Sequence, residues 1–135
     1  MQDLKRFFAH DQFAAHSGME LLEVAPGYAK ATMAVTGKHL NALKTVQGGA
    51  LFTLADFAFA AASNAHGSAV VALNASISFV KAVTQGVLTA EAKETAATSR
   101  TVNYTINITD ETGQLVAIFH GLGYRKKTPL DFSST

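Results

Sequence analysis

The sequence predicts an α+β fold in which a curved antiparallel β-sheet wraps around one long central α-helix. The stretch from Gly48 to Asn64 is dominated by alanine and contains no proline, which favours a helix. Most of the remaining chain consists of apolar runs separated by turn residues, which predicts strands joined by hairpins. Because the helix is apolar on nearly every side, curling the sheet around it is the simplest way to bury it in 135 residues.

The first elements along the chain are predicted to be a short helix and two strands. Asp3 can cap a helix that ends before Gly18. Met19 to Val24 and Tyr28 to Val35 have the composition of strands, and the turn residues Ala25-Pro26-Gly27 lie between them. We therefore expect these two strands to follow the helix directly.

The central helix is predicted from its composition and from the spacing of its apolar residues. Gly48-Gly49 opens it after a loop-like stretch, 37–46, and Asn64 can close it. Apolar side chains recur at helical spacing at Leu51, Leu54, Ala55, Ala58, Phe59 and Ala62. Phe52 and Phe57 lie off that stripe, which indicates a helix that is buried nearly all round.

Four strands are predicted after the helix. They span Ala69 to Val80, Val87 to Thr98, Val102 to Thr109 and Gln114 to Tyr124. The third alternates cleanly between apolar and polar residues, which is typical of a strand with one buried face. Gln85-Gly86 and the stretch 110–113 supply turns, and a polar tail is expected from Thr128. Residues 1–135 are predicted to form a single domain.

Composition and charge exclude several classes of function. The chain has 11 Lys and Arg against 10 Asp and Glu, so we expect neither nucleic acid nor a membrane as a partner. The absence of cysteine excludes disulfides, thiolate nucleophiles and cysteine-ligated metals. The five histidines lack metal-binding spacing and are expected on the surface or in loops, so no metal and no cofactor is predicted. No membrane span or secretory signal is recognisable, and the expected location is the cytoplasm.

Asp56 stands out because it is the only formally charged side chain between residues 45 and 80. An aspartate inside a helix is unfavourable, and burying a carboxylate without a partner is costly. The helix can expose a narrow polar stripe that includes Thr53, Ala60 and Ser63. Alternatively, Asp56 pairs with a buried donor, or its carboxylate performs chemistry in a site. The residues alone leave these three explanations open.

Two shorter features each allow a structural and a functional explanation. Gly48-Gly49 can be a flexible junction, or it can leave backbone N–H groups free to bind an anion or an oxyanion. The basic run Arg125-Lys126-Lys127 is typical of a solvated strand end, and it can also contact phosphates. Neither feature decides the function by itself.

Several segments around the predicted helix form a recognisable combination. They are His39-Leu40-Asn41, the run from Val46 to Asp56, Ala58-Phe59-Ala60, and Ser63-Asn64. This combination resembles the signature of hotdog-fold acyl-CoA thioesterases, in the PaaI-like branch associated with phenylacetic acid degradation. The resemblance extends over about residues 11–126. It implies a hotdog fold, a curved antiparallel sheet around one long helix, in agreement with the pattern of elements.

The resemblance also implies roles for individual residues. Asp56 stands where the family has its catalytic carboxylate, which acts as a general base on water or as a nucleophile. Gly48 matches the glycine whose backbone N–H polarises the thioester carbonyl, and Asn41 matches the polar residue that orients water or the carboxylate. No metal or redox cofactor is needed for this chemistry. Hydrolysis of a thioester builds negative charge on the carbonyl oxygen, which a helix N-terminus stabilises.

The implied substrate is an acyl-CoA thioester with a small or aromatic acyl group. Gly49, Phe52 and Phe79 are expected to bind it. The phenylalanines, which also include Phe57 and Phe59, can equally be core residues. The sequence therefore indicates the class of substrate without naming the acyl group.

The chain departs from the family at one position of the signature, where it has Gln47-Gly48-Gly49 in place of the usual His-Gly-Gly. Glutamine can donate a hydrogen bond to the carbonyl but has no proton to transfer. We therefore carry three hypotheses. The first is an acyl-CoA thioesterase, and the second is a non-catalytic acyl-CoA binding or sensing protein. The third is a dehydratase acting on acyl thioesters, which usually needs a histidine with its acid.

The spacing of Gly48 and Asp56 predicts a site shared between two chains. Eight residues of helix separate them by about 12 Å along the axis. An oxyanion donor and a base must both lie ~3 Å from one reacting centre, which two antiparallel helices related by a twofold axis allow. Only 16% of the residues are charged, which fits a surface partly covered by other subunits. The resemblance likewise implies a homodimer or a tetramer built as a dimer of dimers.

Overall fold

The computed structural model describes residues 1–133, which form three α-helices and six strands. The helices are α1 Gln2–Phe8, α2 Gln12–His16 and α3 Gly48–Asn64. The strands are β1 Met19–Ala25, β2 Tyr28–Ala34, β3 Ser68–Phe79, β4 Val87–Ala97, β5 Thr101–Thr109 and β6 Leu115–Pro129. A single 3₁₀ turn, Gly37–His39, lies in the loop that leads to α3.

The six strands form one antiparallel sheet in the order β1-β2-β4-β5-β6-β3. Helix α3 contacts every one of these strands, which is possible only because the sheet curves around it. The predicted sheet wrapped around one helix is therefore confirmed. Strands β1 and β3 form the two edges of the sheet, and β3 is the longer of the two.

The alternation of β5 explains how the sheet buries the helix. The four inward side chains of this strand are all buried, namely Val102, Tyr104, Ile106 and Ile108. On β2 and β4 the inward positions are mostly alanines, namely Ala29, Ala31, Ala90 and Ala92. Small side chains at these positions let the helix approach the sheet, and each large side chain buried elsewhere contributes about 1.5–3 kcal/mol to stability.

Two glycines of β6 allow the closest approach between the sheet and its neighbours. A Cβ at Gly121 would lie 2.8 Å from the ring of Phe59, and one at Gly123 would lie 2.7 Å from the side chain of Val70. Real Cβ contacts are longer than this, so any larger residue would displace α3 or β3. These glycines are therefore required by packing.

The N-terminal segment forms two helices instead of the single helix that we predicted. Helix α1 has no side-chain cap, and Asp3 instead lies in its first turn and forms an ion pair with Arg6. Asp11 is the residue that acts as a cap, since its carboxylate accepts the N–H of Ala14 at 3.0 Å and starts α2. The prediction missed this second helix because α2 has only five residues and no apolar period of its own.

The C-terminal strand is longer than predicted. Strand β6 continues through the basic run to Pro129, which pairs with Ser68 at the start of β3. The pairing with β3 stabilises this extension, which the residue types alone do not indicate. The polar tail expected from Thr128 therefore begins after the strand, and its last residues, 134 and 135, lie outside the described residues.

Candidate active site

The loop before α3 is shaped by the side chain of Asn41. Its Oδ1 accepts the N–H groups of Leu43 at 2.9 Å and Thr45 at 3.1 Å, while its Nδ2 donates to Oγ1 of Thr45 at 3.1 Å. Lys44 adopts the left-handed region with φ of 65° to close the turn. Asn41 thus organises the loop, and the second hydrogen of its Nδ2 is the part of the side chain left to contact water or substrate.

His39 fixes the start of α3 from the other side. It lies in a loop, as expected for the histidines, but it is buried, and no role was predicted for it from the sequence. The residue is only 4% exposed. The N–H of Thr36 donates to Nδ1 at 2.9 Å, so the ring proton lies on Nε2, which donates to the carbonyl of Ser17 at 2.7 Å. Its backbone carbonyl accepts the N–H of Gln47 at 2.8 Å. The signature segment His39-Leu40-Asn41 was the available signal.

Gln47 caps α3 and determines which helix N–H stays free. Its Oε1 accepts the N–H of Gly49 at 2.7 Å, and its backbone carbonyl accepts the N–H groups of Ala50 and Leu51. Among the described residues, the N–H of Gly48 has no hydrogen-bond partner. This N–H carries the partial positive charge of the helix N-terminus, so it is the donor best placed to bind an oxyanion.

The ring of Phe79 lies against Gly48. A Cβ at Gly48 would be 2.9 Å from Cζ of Phe79, so only glycine leaves the ring in this position. Both residues line a cleft of about 350 Å³ together with Asn41 and Lys81. Phe79 is 57% exposed, which makes it part of the cleft wall and not of the core. Asn41, Gly48 and Phe79 are therefore brought together at one cleft.

The other predicted substrate-binding residues lie on a second, larger cleft. Gly49 and Phe52 line this cleft of about 530 Å³ together with Gln47, a predicted catalytic residue, and with Phe13 of α2. The N–H of Gly49 is already engaged by Gln47, so Gly49 offers the absence of a side chain and no free donor. The two clefts meet at residues 47–49, where α3 begins.

Asp56 lines neither cleft and lies farther along α3. It is on the open face of the helix with Phe52, Thr53 and Ala60, all of them at least partly exposed. The polar stripe is thus present, but Ser63 does not belong to it, because that side chain is buried and donates to the carbonyl of Phe59 at 2.8 Å. Helical spacing alone placed Ser63 on the stripe, and its burial excludes it.

The carboxylate of Asp56 has no hydrogen bond and no ion pair among the described residues. Burial raises its pKa, and the nearby negative charge of Asp11 raises the pKa further. Asp11 is the N-cap of α2 and was not singled out by the sequence. An unpaired carboxylate whose ionised form is disfavoured is a better base than an ordinary aspartate, which fits a role in proton transfer or nucleophilic attack.

The described residues were also examined for metal-binding clusters and for membrane-spanning helices. Residues 1–133 contain no group of three or more His, Asp or Glu side chains that could hold a metal ion. No helix within this range is long and apolar enough to cross a membrane.

Comparison with known proteins places these features in a family. The model of the thioesterase superfamily matches residues 43–117, which include the start of α3 and Asp56. The chain is 35% identical to the acyl-coenzyme A thioesterase PaaI of Escherichia coli over 92% of this chain and 89% of that protein. The structure of E. coli PaaI superposes with a TM-score of 0.91 and 33% identity, covering 96% of this chain and 95% of that chain.

Two further solved structures are similar to this chain. A variant of the phenylacetic acid degradation protein PaaI from Thermus thermophilus has 36% identity and a TM-score of 0.82, covering 86% of this chain and 100% of that chain. A hypothetical thioesterase protein from Streptococcus pneumoniae, solved with coenzyme A, has 25% identity and a TM-score of 0.85. That match covers 93% of this chain and 98% of the other.

A curled antiparallel sheet around one helix, together with the similarity to acyl-CoA thioesterases, defines a thioester hydrolase of the hotdog fold. The chain belongs to the thioesterase superfamily. The predicted family, fold and enzyme class are thereby confirmed. The roles assigned to individual residues remain predictions, which the geometry described above makes specific.

Proposed function

We propose that this protein is an acyl-CoA thioesterase that hydrolyses a small or aromatic acyl-CoA to the free acid and CoA. The observation that carries the proposal is that one helix has both a carboxylate without a partner, at Asp56, and a free N–H, at Gly48. The similarity to E. coli PaaI, whose name states this activity, and to a thioesterase solved with coenzyme A supports the same substrate class.

The reaction follows from these two groups. The N–H of Gly48 donates to the thioester carbonyl oxygen and stabilises the negative charge that develops there. Asp56 takes a proton from a water molecule as that water attacks the carbonyl carbon. The C–S bond then breaks, and the sulfur of CoA leaves and is protonated. In the alternative route Asp56 attacks the carbon itself, and water hydrolyses the resulting anhydride.

We propose further that each site is built from two copies of the chain. The axial separation of about 12 Å keeps Gly48 and Asp56 of one chain apart, and in the structure Asp56 lines neither cleft at the start of α3. Strand β3 is a free sheet edge with exposed apolar side chains, including Val71 and Leu73. Such edges normally pair or are covered, so an antiparallel pairing of two β3 strands is the natural way to form the dimer.

The acyl group is proposed to contact the exposed aromatic side chains near the start of α3. Phe13, Phe52 and Phe79 are all exposed in the single chain, although large aromatic side chains are normally buried. They border the two clefts that meet at residues 47–49. A flat aromatic acyl group or a short aliphatic one would cover these rings, whereas the clefts offer no charged partner for a carboxylated chain other than Lys38 and Lys81.

The direct test is the release of free CoA from a panel of acetyl-, butyryl-, benzoyl- and phenylacetyl-CoA. We expect steady-state turnover with at least one short or aromatic member and loss of turnover in Asp56→Asn. A second candidate function, non-catalytic acyl-CoA binding, is favoured by Gln47, since a glutamine replaces the family's usual histidine. Tight binding of acyl-CoA with no turnover would establish that function and refute the proposed one.

The shared site is tested by complementation between two inactive variants. Asp56→Asn removes the carboxylate, and Gly48→Pro removes the backbone N–H at the first helical position, where proline is well tolerated. After the unfolded chains are mixed and refolded, about half of the dimers contain both variants, and each has one intact site, so about a quarter of native activity should return. A mixture that stays inactive although mixed dimers form would contradict the shared site. Formation of tetramers from these dimers, and a cytoplasmic location, stay predictions of the sequence.

A further inference from the structure

His39 is a buried titratable side chain that takes no part in the reaction described above. Ser63 and Asn64 are also buried polar side chains, but both lie at the end of α3. His39 instead lies in the 3₁₀ turn before α3 and borders the larger cleft. Burial of an imidazole costs free energy unless its nitrogens have partners. The partners of the two nitrogens therefore show what the ring contributes.

The two ring nitrogens of His39 bind two different segments of the chain. Nδ1 accepts the N–H of Thr36 at 2.9 Å, just after the end of β2. Nε2 donates to the carbonyl of Ser17 at 2.7 Å, where α2 ends. Because a backbone N–H can only donate and a carbonyl can only accept, one tautomer in one orientation satisfies both partners. The two contacts are therefore distinct and can be removed one at a time.

The contact at Nδ1 holds the turn that leads to the oxyanion donor. It closes the turn on itself, since the N–H of His39 also donates to the carbonyl of Thr36 at 3.0 Å. The carbonyl of His39 in turn accepts the N–H of Gln47 at 2.8 Å, and Gln47 caps α3 directly before Gly48. Loss of the Nδ1 contact would therefore loosen the segment that positions the free N–H of Gly48.

The contact at Nε2 holds α2 beside the larger cleft. Phe13 belongs to α2, is 69% exposed, and lines that cleft together with Phe52. Helix α2 has only five residues, which is too short for a helix to be stable without tertiary contacts. Lys38 adds a second contact at the same end of α2, because its Nζ donates to the carbonyl of His16 at 2.9 Å. These two contacts therefore fix the wall of the cleft that includes Phe13.

We propose that His39 is a positioning residue with a separate task at each ring nitrogen. Nδ1 keeps the N–H of Gly48 directed at the thioester carbonyl, and Nε2 keeps Phe13 where the cleft accepts an aromatic acyl group. The inference rests on the proposed function and deepens it, because it assigns the selection between aromatic and aliphatic acyl groups to the placement of α2. Since only 4% of the residue is exposed, His39 acts through these two segments and not by contact with the thioester.

The experiment uses two substitutions that each retain one of the two contacts. His39→Asn keeps an acceptor near the position of Nδ1 and removes the donor to Ser17, whereas His39→Gln keeps a donor that can reach Ser17 and removes the acceptor for Thr36. Asn64→Ala is the matched control, because it also removes hydrogen bonds of a buried polar side chain, at the other end of α3. Lys38→Met loosens α2 from the surface without a change in the core.

All four variants and wild type are compared in kcat and KM with two acyl-CoA substrates. These are the aromatic and the aliphatic member of the panel that wild type hydrolyses fastest. We expect His39→Asn to lower the ratio of kcat/KM for the aromatic over the aliphatic substrate by about fivefold, the scale of one hydrogen bond, mainly through KM. Lys38→Met should lower the same ratio. His39→Gln should keep the ratio and lower kcat with both substrates by roughly tenfold or more, because the oxyanion donor is misplaced. Asn64→Ala should change neither.

Hydrogen exchange followed by mass spectrometry gives a second readout that does not require activity. Exchange should rise over residues 12–18 in His39→Asn and in Lys38→Met. In His39→Gln it should rise over residues 40–49 instead. Asn64→Ala should leave both segments as they are in wild type.

Equal losses with both substrates in His39→Asn and His39→Gln, or the same changes in Asn64→Ala, would make His39 an ordinary core residue and overturn the inference while leaving the thioesterase activity in place. Where neither His39 variant folds, Lys38→Met decides, and an unchanged ratio with unchanged exchange over residues 12–18 rejects the inference. If wild type hydrolyses only one of the two substrates, or neither, hydrogen exchange decides by itself: changes in separate segments support the inference, and changes in the same segment or none reject it. Only the absence of all hydrolysis means that the proposed function has failed as well.

Discussion

The polar groups at the two ends of α3 differ in whether they have hydrogen-bond partners within the protein. At the N-terminal end the N–H of Gly48 is without a partner among the described residues, and farther along the open face Asp56 is equally unpaired. At the C-terminal end Asn64 is fully engaged, since its Nδ2 donates to the carbonyl of Ala60 at 2.8 Å and its Oδ1 accepts the N–H of Val70 at 2.8 Å. The first end has polar groups without a protein partner, and the second is closed by the protein itself.

The closed end continues into a small network that is only partly buried. The hydroxyl of Tyr104 donates to Glu94 at 3.1 Å, and the same carboxylate lies 3.2 Å from Nε2 of His66. Burial is the main cause that raises the pKa of Tyr104, and the charge of Glu94 raises it further. These three titratable side chains all have partners, whereas Asp56 has none among the described residues. What distinguishes a structural end from a functional one is therefore the presence of partners and not the number of polar residues.

The largest effect that this comparison predicts is at Asp56. Asp56→Asn should keep the fold and lower hydrolysis by at least about 100-fold, because asparagine cannot accept the proton or attack the carbonyl. The rate of CoA release measures this. Asp3→Asn, which removes a carboxylate of α1, is the control and should retain native turnover. Near-normal turnover in a folded Asp56→Asn protein would remove Asp56 from the mechanism.

The same variant should be more stable than wild type at neutral pH. Because the folded-state pKa of Asp56 is raised, the folded protein holds this proton more tightly than the unfolded chain does, so stability decreases as pH rises through that pKa. The ionised carboxylate is therefore a cost at neutral pH. We expect a higher Tm for Asp56→Asn at pH 7 and a smaller difference at acid pH, as measured by thermal unfolding.

The next effect concerns the free N–H at the start of the helix. Gly48→Pro removes the donor, and the backbone of Gln47, at ψ of 137°, is compatible with a following proline. We expect a loss of turnover of about 100-fold, the scale for one oxyanion donor. Gly48→Ala is the control, since it adds a similar Cβ against Phe79 but keeps the N–H. If both variants lose activity equally, crowding of Phe79 and not the donor is responsible.

At the closed end a substitution should cost stability and leave activity unchanged. Asn64→Ala leaves the N–H of Val70 without its acceptor and should lower the free energy of unfolding by about 1–3 kcal/mol. Ser63→Ala should cost less, because Ser63 donates to a carbonyl that is already part of the helix. Denaturant unfolding and turnover per folded chain check both. A large loss of kcat in folded Asn64→Ala would show that the two ends are not independent.

Gln47 lies between these cases because it both caps the helix and borders the site. Gln47→Ala loses the hydrogen bond to Gly49 and should destabilise the protein by roughly 1 kcal/mol, with a larger effect on kcat than on KM. Gln47→His restores the residue usual in the family and should be tolerated. A protein with native kcat and native Tm after the change to alanine would show that Gln47 is only a spacer.

The smallest expected effect is a shift in pH dependence caused by Asp11. Activity needs ionised Asp56 and should therefore fall at acid pH, below its raised pKa. Asp11→Asn removes one cause of that raised pKa while keeping an N-cap for α2, so the acid limb of the kcat profile should move to lower pH. If the profile stays in place, the charge of Asp11 does not reach the reacting carboxylate.

The candidate site could be predicted from the sequence where a residue type is unusual for its position. Asp56 was conspicuous because nothing else between residues 45 and 80 is formally charged. Asp11 and His39 could not be found in this way. Asp11 approaches Asp56 only because α2 packs on α3, and His39 is buried only because the chain folds back to meet Ser17. Such contacts join residues that are distant in the chain, and no local pattern encodes them.

The sequence by itself determined the elements and their class of fold. Periodicity located α3 and the strands to within a few residues, because burial of one helix and one sheet face imposes periods that are visible in the chain. The tertiary structure decided what each polar residue does. It placed Ser63 in the core, used Asn41 and Gln47 to shape the start of the helix, and left Gly48 free. Hydrogen-bond partners depend on the three-dimensional neighbourhood, so the same residue types become structural or reactive only after the chain has folded.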